Sequence, residues 1–471
     1  MLLPWQLGSA SLYPLQRVVQ LATLGLVLPI GGLVLLRAFE PARLLRLPAR
    51  LRWTLSVAAV LMAAALVLAP HAGVALLELG YLMLLSVAGS LLAASSNNLP
   101  RLAWAALGGL LTLFLLLYSV FAADHLHLVW PFANRHDFGP GFANVRFFAD
   151  VAVGVMPLAL LYAVARRRPS AVAAFLCVIP LTFWWWLLWV SESRAALLGL
   201  IAGAAVALFL FGRAARWPLT MLAISGALGL VGWWFLNPIG GGGSGAEQAF
   251  VRDITSSSGR LDLWRDALRY SLGHFPLGIG PMGFAGDGNL RSAHAHNFFL
   301  NTAAEWGLPL ALLLLALLLY GCWVIVRRAR AMPEGDKPIY ACLVIAFVGV
   351  VVNAQFAGSH IIPLSSLVLV LSIGLVFGYR PSNEAPPPIP VGPVPLRATL
   401  IWAALMLLYA YLLYAGLELY WLAEDSTATC FQEQGRAYYY PRFWAQGRLE
   451  CMQMVDPDHW LFWSWRDWRQ G

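Results

Sequence analysis

Long apolar runs alternate with short polar stretches along most of the chain. A membrane-spanning helix needs about 20 mostly apolar residues. Helices are the only structure we expect in such runs, because lipid offers no hydrogen-bond partner to an unpaired backbone group. The sequence predicts twelve spanning helices, at residues 18–37, 53–70, 73–94, 101–122, 147–165, 171–190, 194–212, 217–236, 308–326, 339–357, 362–379 and 398–421.

The longest polar interruption covers residues 237–307. It separates residues 1–236, with eight predicted helices, from residues 308–421, with four. A tail over residues 422–471 is crowded with tyrosine and tryptophan, which favour the interface between membrane and water. We therefore predict an all-α polytopic membrane protein of four parts, in which one large loop interrupts the bundle.

The composition supports a membrane protein. Of the 471 residues, 60% are hydrophobic and 11% are charged, whereas soluble domains carry roughly 25% charged residues. The net charge of +8 comes mostly from arginine, since Lys337 is the only lysine. Most arginines flank apolar runs, as they do at the cytoplasmic ends of membrane helices, so we expect no nucleic-acid partner.

The distribution of arginine also predicts the orientation of the bundle. We expect the end of the bundle with the most arginine to face the cytoplasm. The loop 237–307 and the tail then lie outside the cytoplasm, where Cys430 and Cys451 either form a disulfide or remain two free thiols. With twelve helices, four arginine-rich stretches fall at one end, at residues 43–52, 166–168, 327–330 and 380–397.

A short amphipathic helix is predicted inside the long loop. Leu261, Trp264 and Leu268 recur there at helical spacing, and we expect them to face the bundle. Arg269 follows Asp266 by three residues, which predicts a solvated ion pair on the opposite face.

Several arginines are candidates for contact with an anionic ligand. Arg265 has Asp262 three residues before it, whereas Arg260 has no such carboxylate on its N-terminal side. Arg146 and Arg194 lie at the starts of predicted helices at the same end of the bundle. An arginine in such a place needs an anionic partner, which is the phosphate of a surrounding lipid, a nearby carboxylate such as Glu192 beside Arg194, or a bound substrate. Arginine forks suit phosphate oxygens, so a converging set would suit a pyrophosphate carried by a lipid.

Two histidines, His294 and His296, lie just before the apolar stretch at 308–326. Two residues apart, they share a face in an extended segment but not in a helix. A histidine with the usual pKa of about 6.5 can accept a proton at neutral pH. The alternative is a hydrogen-bonded histidine that caps a helix. A zinc site is not expected, since no third ligand stands at a diagnostic spacing.

The chain resembles the O-antigen ligase superfamily, which also includes O-antigen polymerases and bacterial protein O-oligosaccharyltransferases. The resemblance covers about residues 130–380. Four short motifs carry it, namely Gly141-Phe-Ala-Asn-Val-Arg-Phe-Phe148, Ser193-Arg-Ala195, Ser258-Gly-Arg-Leu-Asp-Leu-Trp264 with Pro276-Leu-Gly-Ile-Gly280, and His296-Asn-Phe-Phe-Leu300 followed by Glu305-Trp-Gly307.

The resemblance implies a GT-C-like glycosyltransferase at the periplasmic face of the cell inner membrane, surrounded by membrane lipids. Its donor would be a glycan on undecaprenyl pyrophosphate, and the acceptor of a ligase would be lipid A–core oligosaccharide. His296 would be the general base, and Arg260 would stabilise the leaving pyrophosphate. No metal or cofactor is expected, and direct displacement would invert the anomeric centre. Further contacts to the donor would come from Arg194, Arg265, Arg146 and His294.

Two other activities stay open at this point. A polymerase or a protein O-oligosaccharyltransferase would use the same donor with a different acceptor. A transporter of lipid-linked sugars would place ionisable residues near the middle of its helices and would often show repeated halves. The sequence has almost no charge at the predicted helix midpoints and no evident repeat, which favours an enzyme.

Overall fold

The computed structural model describes residues 9–38, 49–97, 99–129, 141–142, 144–166, 170–236, 259–287, 290, 292–384, 396–434, 442–443 and 447–463. Over these ranges the chain is helical and contains no strand. In chain order the helices are α1 (Ser9–Ala38), α2 (Ala49–Leu68), α3 (Ala72–Ser96), α4 (Arg101–Val129), α5 (Val145–Ala159), α6 (Leu161–Val164), α7 (Ala171–Ser191), α8 (Arg194–Phe211), α9 (Arg216–Phe235), α10 (Arg260–Gly273), α11 (Gly283–Gly286), α12 (Phe298–Trp306), α13 (Leu308–Ala331), α14 (Lys337–Asn353), α15 (Pro363–Gly378), α16 (Leu396–Gln434) and α17 (Leu449–Val455).

Each of the twelve apolar runs coincides with a helix, and α16 continues beyond its predicted end, to Gln434. By length and composition, seven helical stretches of the described chain could cross a membrane. One of them, Arg194–Phe235, contains α8 and α9, which are joined by a single 3-10 turn. Shorter apolar helices lie at Ser56–Leu68, Lys337–Asn353 and Pro363–Gly378. The chain is thus a multi-pass membrane protein, while twelve crossings stay a prediction.

Helix α5 forms the centre of the bundle. Its side chains are buried on every side, as expected for a helix that is apolar all round. Asn144 caps its first turn, because the Asn144 side chain accepts a hydrogen bond from the backbone N–H of Arg146 at 2.9 Å. The cap fixes where the helix begins. Arg146 and Asp150 therefore lie at one end of the bundle's core.

Helices α8 and α14 pack with their backbones in close contact. A Cβ atom on Gly199 would lie 2.5 Å from the carbonyl oxygen of Gly349, and one on Gly203 would lie 2.5 Å from that of Ile345. Small residues allow this close approach between membrane helices. The antiparallel pairing puts Arg194, the first residue of α8, level with Ala354, the residue that follows α14.

The predicted orientation of the amphipathic helix α10 is wrong. Leu261 and Leu268 are 57% and 45% exposed, and the buried face carries Leu263 and Ala267 instead. Leucines occur on two sides of this helix. The side with Leu263 also carries Ala267, whose small side chain allows close approach to α12. Trp264 lies between the two sides and is half-buried, so only part of the predicted face is correct.

The C-terminal tail returns to the bundle. Residues 447–463 include α17 and a 3-10 turn at Trp460–Phe462, whose Leu461 and Phe462 are buried. Cys451 is disulfide-bonded, whereas Cys177, Cys322 and Cys342 are free. The side chain of Cys430 lies outside the described residues.

Candidate active site

Two polar segments meet at the end of the bundle where α5 begins. Asn297 caps α12 by accepting a hydrogen bond from the N–H of Leu300 at 2.9 Å, and its side-chain amide donates to the carbonyl of Gln355 at 3.0 Å. The next residue, Phe298, donates its N–H to the carbonyl of Ala354 at 3.0 Å. These bonds hold the segment with His296 against the loop after α14.

His296 has an unusual backbone conformation. Its φ angle is +51°, in the left-handed region that non-glycine residues rarely adopt. Such a conformation costs on the order of 1–3 kcal/mol and is concentrated at functional sites. The half-buried ring has its Nε2 atom 3.4 Å from the hydroxyl oxygen of Ser292.

The electrostatic surroundings of His296 keep its ring neutral. Burial, together with the positive charges of Arg260 and Arg146, lowers the pKa of His296 to about 3. A neutral imidazole has a free lone pair at neutral pH and can accept a proton. The structure therefore brings three of the predicted residues into one site.

Asp150 belongs to the same site and was missed from the sequence. The Asp150 side chain is 3% exposed, and its Oδ1 atom accepts a hydrogen bond from Asn353 Nδ2 at 2.7 Å. Arg260 and Arg146 both act electrostatically on this carboxylate. The same two arginines therefore act electrostatically on both Asp150 and His296. An ionisable residue in an otherwise apolar helix is the signal that could have found Asp150.

The other predicted arginines differ in their surroundings. Arg194 is half-buried at the start of α8, level with the loop that contacts the His296 segment. The Arg265 side chain is 79% exposed and lies 3.4 Å from Asp262, as the spacing predicts. The predicted pair of Arg269 with Asp266 is also present, at 3.7 Å. Arg265 therefore has the weakest structural support as a donor contact.

His294 is completely buried beneath His296. The two ring centroids lie 4.1 Å apart. The other side of the His294 ring faces Gly358, where a Cβ atom would come within 2.5 Å of the Nε2 atom. His294 therefore supports the His296 ring from below and is poorly placed to touch a substrate.

His360 is a third histidine at the site that sequence reasoning missed. Its ring centroid lies 6.5 Å from that of His294 and 5.3 Å from that of Phe298. Both His360 nitrogens are buried, and no described residue makes a hydrogen bond to either. Burial, together with Arg442 and His296, lowers the pKa of His360 to about 3. In the described part of the chain, no three His, Cys, Asp or Glu side chains form a group that could hold a metal ion.

A comparison with known protein families finds a match for part of this chain. Residues 154–315 match the model of the O-antigen ligase family. This match covers about a third of the chain and supports a relationship to the O-antigen ligase and polymerase superfamily. No curated protein and no solved structure matches the chain. Arg146, Asp150, His360 and Arg442 fall outside the residues that match the O-antigen ligase model, whereas His296 and Arg260 fall inside them.

Two glycines of the O-antigen ligase motifs bring two turns into backbone contact. Gly307 has a φ angle of +96°, and a Cβ atom there would overlap the carbonyl oxygen of Pro276. Gly278 has a φ angle of +71°, and its Cβ atom would overlap the carbonyl oxygen of Ala304. Only glycine tolerates both the positive φ angle and the lack of space for a Cβ atom. The Pro-Leu-Gly and Glu-Trp-Gly motifs are therefore paired structural elements that support α12.

Glu305 of the O-antigen ligase motif is a buried hydrogen-bond acceptor. Its Oε1 atom accepts from the N–H of Phe284 at 3.1 Å, and its Oε2 atom accepts from Asn301 Nδ2 at 3.1 Å. Asn301 in turn accepts the N–H of Ala295 at 3.1 Å. Glu305 thereby connects α12 to the backbone between the two histidines, and Arg442 from the tail is its cationic partner.

Proposed function

We propose that this protein is an O-antigen ligase. It moves O-antigen polysaccharide from undecaprenyl pyrophosphate to lipid A–core oligosaccharide, at the periplasmic face of the inner membrane. One observation carries the proposal: the charges of Arg146 and Arg260 both act on His296, at the end of the bundle where α5 begins. Transfer of a glycan from a pyrophosphate needs a base for the acceptor hydroxyl and positive charge for the leaving pyrophosphate, and these three side chains can supply both.

His296 acts as the general base in this proposal. It takes the proton from the acceptor sugar hydroxyl while the hydroxyl oxygen attacks the anomeric carbon of the donor. The bond from the anomeric carbon to the pyrophosphate oxygen breaks as the new glycosidic bond forms. Attack from the side opposite the leaving group inverts the anomeric centre.

The arginines hold the donor pyrophosphate and stabilise the negative charge that develops on it as it leaves. Arg260 and Arg146 are the principal contacts, and Arg194 is the third. Asp150 keeps the two principal guanidinium groups in place from the side away from the donor. Because arginine supplies the positive charge, the proposed reaction does not depend on a metal ion. Arg265 and His294 stay weaker candidates for donor contact, since one is solvated and the other is enclosed.

The sibling activities differ from the ligase only in the acceptor. A polymerase would transfer the glycan to a second lipid-linked glycan, and a protein O-oligosaccharyltransferase would transfer it to a hydroxyl side chain. The family match supports a ligase or a polymerase-like enzyme in general. The resemblance of the whole motif set favours the ligase.

A transfer assay with purified components tests the proposal. The full chain in proteoliposomes receives a glycan on undecaprenyl pyrophosphate, with a chelator present. Three acceptors are offered in parallel: lipid A–core, a serine-containing pilin-type peptide, and a second donor molecule. Product on lipid A–core supports the ligase and the metal-free mechanism. Product only on the peptide, or only on the second donor molecule, assigns the corresponding sibling activity. Absence of product with all three acceptors contradicts the proposal that the protein is an enzyme.

A further inference from the structure

The C-terminal tail fastens the backbone segment that precedes His296. Arg442 in the tail donates from Nη1 to the carbonyl oxygen of Ala293 at 3.2 Å. Arg448 donates from Nη2 to the carbonyl oxygen of Leu290. Both arginines are buried, with 1% and 4% exposure. Two side chains of the tail therefore bind two carbonyls of the same short segment.

Arg442 is itself held in one position by two carboxylates. Its Nη2 atom donates to Glu305 at 2.6 Å and to Glu78 at 2.7 Å, and its Nη1 atom donates to Glu305 at 3.0 Å. Burial opposes the charge on Arg442, but Glu305 and Glu78 outweigh it and raise the pKa of the guanidinium. Hydrogen bonds between charged groups are stronger than neutral ones and fix geometry. The direction in which Arg442 points at Ala293 is therefore determined by α3 and α12.

The same part of the tail is joined to the loop that carries His360. Arg17 in α1 donates to the carbonyls of Ile361 at 2.7 Å, Arg442 at 3.1 Å and Phe443 at 2.9 Å. Its guanidinium carbon also lies 4.8 Å from the centre of the Phe443 ring. Both segments that contribute histidines to the site are thus attached, directly or through Arg17, to residues 442–443.

We propose that Arg442 and Arg448 of the C-terminal tail position the catalytic histidine, with Arg442 as the principal positioning residue. The tail lies outside the region that matches the O-antigen ligase model, so this support is added to the family domain from the far end of the chain. Besides its ion pairs with α3 and α12, Arg442 binds the backbone carbonyl of Ala293, directly before His294. Arg448 binds the carbonyl of Leu290 in the same segment, so both arginines act on the backbone that leads to His296.

The test uses the full-length protein in nanodiscs and two separate measurements. The first is hydrogen–deuterium exchange, which reports the opening of the backbone amides of Ala295 and Phe298. The second compares the effect of each substitution on kcat with its effect on KM in the transfer assay. This second measurement rests on the proposed function. Arg442→Gln alone leaves Glu305 buried without its cation, which can prevent folding. The double variant Arg442→Gln/Glu305→Gln therefore accompanies it, because it removes both buried charges together.

We expect the amides of residues 290–298 in the double variant to exchange at least about tenfold faster, with little change elsewhere. We expect kcat to fall by about 10- to 100-fold because the base is misplaced, with the donor KM within about twofold. Arg442→Lys should restore part of the kcat, since lysine keeps the charge but cannot reach both carboxylates and the carbonyl. Arg269→Gln, in an exposed ion pair, is the control and should match the parent.

Unchanged exchange at residues 290–298 would overturn the positioning role. A uniform rise in exchange over the whole chain would also overturn it, because that result describes general loss of stability. If the parent transfers to none of the acceptors, the proposed function fails. The exchange measurement then still decides whether the tail holds the histidine segment.

Discussion

Asn353 donates a hydrogen bond to Asp150 at 2.7 Å, although the two residues lie 203 positions apart in the sequence. The bond joins the end of α14 to the first turns of the central helix α5. The positive charges of Arg146 and Arg260 also act on the Asp150 carboxyl group. The pair therefore connects the framework of the bundle to the cations of the site.

Replacement of Asp150 by asparagine tests this connection. Asp150→Asn keeps the size of the side chain and a hydrogen bond with Asn353, but it removes the ionisable carboxyl group on which the two arginines act. We expect kcat to fall by about tenfold, corresponding to about 1.4 kcal/mol of transition-state stabilisation. The measurement is steady-state transfer at saturating donor. Asp266→Asn, in an exposed ion pair, is the matched control, and parent-like kcat in Asp150→Asn would refute the orienting role.

Removal of the base should have the largest effect at the site. His296→Ala should lower kcat by roughly 10²- to 10⁴-fold, the usual contribution of a positioned base. Donor binding should change little, because the arginines remain. His294→Ala should be milder, since His294 supports the ring of His296 and does not replace it. Equal losses in the two variants, measured at equal expression and equal donor binding, would leave the base unassigned.

Arg260 should not tolerate a conservative change. Arg260→Lys keeps the positive charge but loses the planar fork that can bind two phosphate oxygens together. We expect kcat/KM for the donor to fall by at least about tenfold, which corresponds to one charge-assisted hydrogen bond of roughly 1.5–3 kcal/mol. Arg265→Lys, on the exposed face of α10, should retain most activity. A parent-like Arg260→Lys enzyme would exclude a specific phosphate clamp at this position.

The helices could be predicted because the information needed is local. Twenty apolar residues in lipid have only one way to satisfy their backbone groups, so length and composition locate each helix. Which side of a helix is buried depends on its neighbours. Helix α10 illustrates the difference, because its leucines point in two directions and only the packing against α12 decides between Leu261 and Leu263.

The site could be predicted only as far as its residues are grouped in sequence. His296 and Arg260 stand in the one long polar interruption, where several polar residues together are conspicuous. Asp150, His360 and Arg442 lie outside that interruption and far apart from one another in the sequence. Periodicity reports neighbours within a few positions, whereas Arg442 contacts Ala293 across 149 positions.

Gly307 should be essential for folding, and Gly273 provides a comparison within the same loop. Gly307→Ala forces a side chain into the left-handed region and against the carbonyl of Pro276, so the turn must move. Nothing lies within 4 Å of a Cβ atom on Gly273, so Gly273→Ala should be accepted. For Gly307→Ala alone we expect the free energy of unfolding to fall by about 2–4 kcal/mol, or the protein not to fold. Thermal unfolding in detergent measures this, and equal melting temperatures of the two variants would contradict the packing argument.

The acidic limb of the pH–rate profile should differ between kcat/KM and kcat. In the free enzyme, burial and the charges of Arg260 and Arg146 hold the pKa of His296 at about 3, so the base stays available down to low pH. A bound pyrophosphate places negative charge beside the same arginines, which favours the protonated imidazole and raises its pKa. Protonation removes the base, so kcat should begin to fall at a higher pH than kcat/KM does as the solution is acidified.

Arg260→Gln removes one of the two cations and provides the control for this pH dependence. The pKa of His296 in the free enzyme should rise in this variant, which moves the acidic limb of kcat/KM toward that of kcat. The measurement is initial rates between about pH 2.5 and pH 8 at low and at saturating donor, a range that includes the acidic limb of kcat/KM. Coincident acidic limbs of kcat and kcat/KM in the parent would show that the donor charge does not reach His296. The pyrophosphate would then have to bind away from Arg146 and Arg260, and the proposed arrangement of base and leaving group would be wrong.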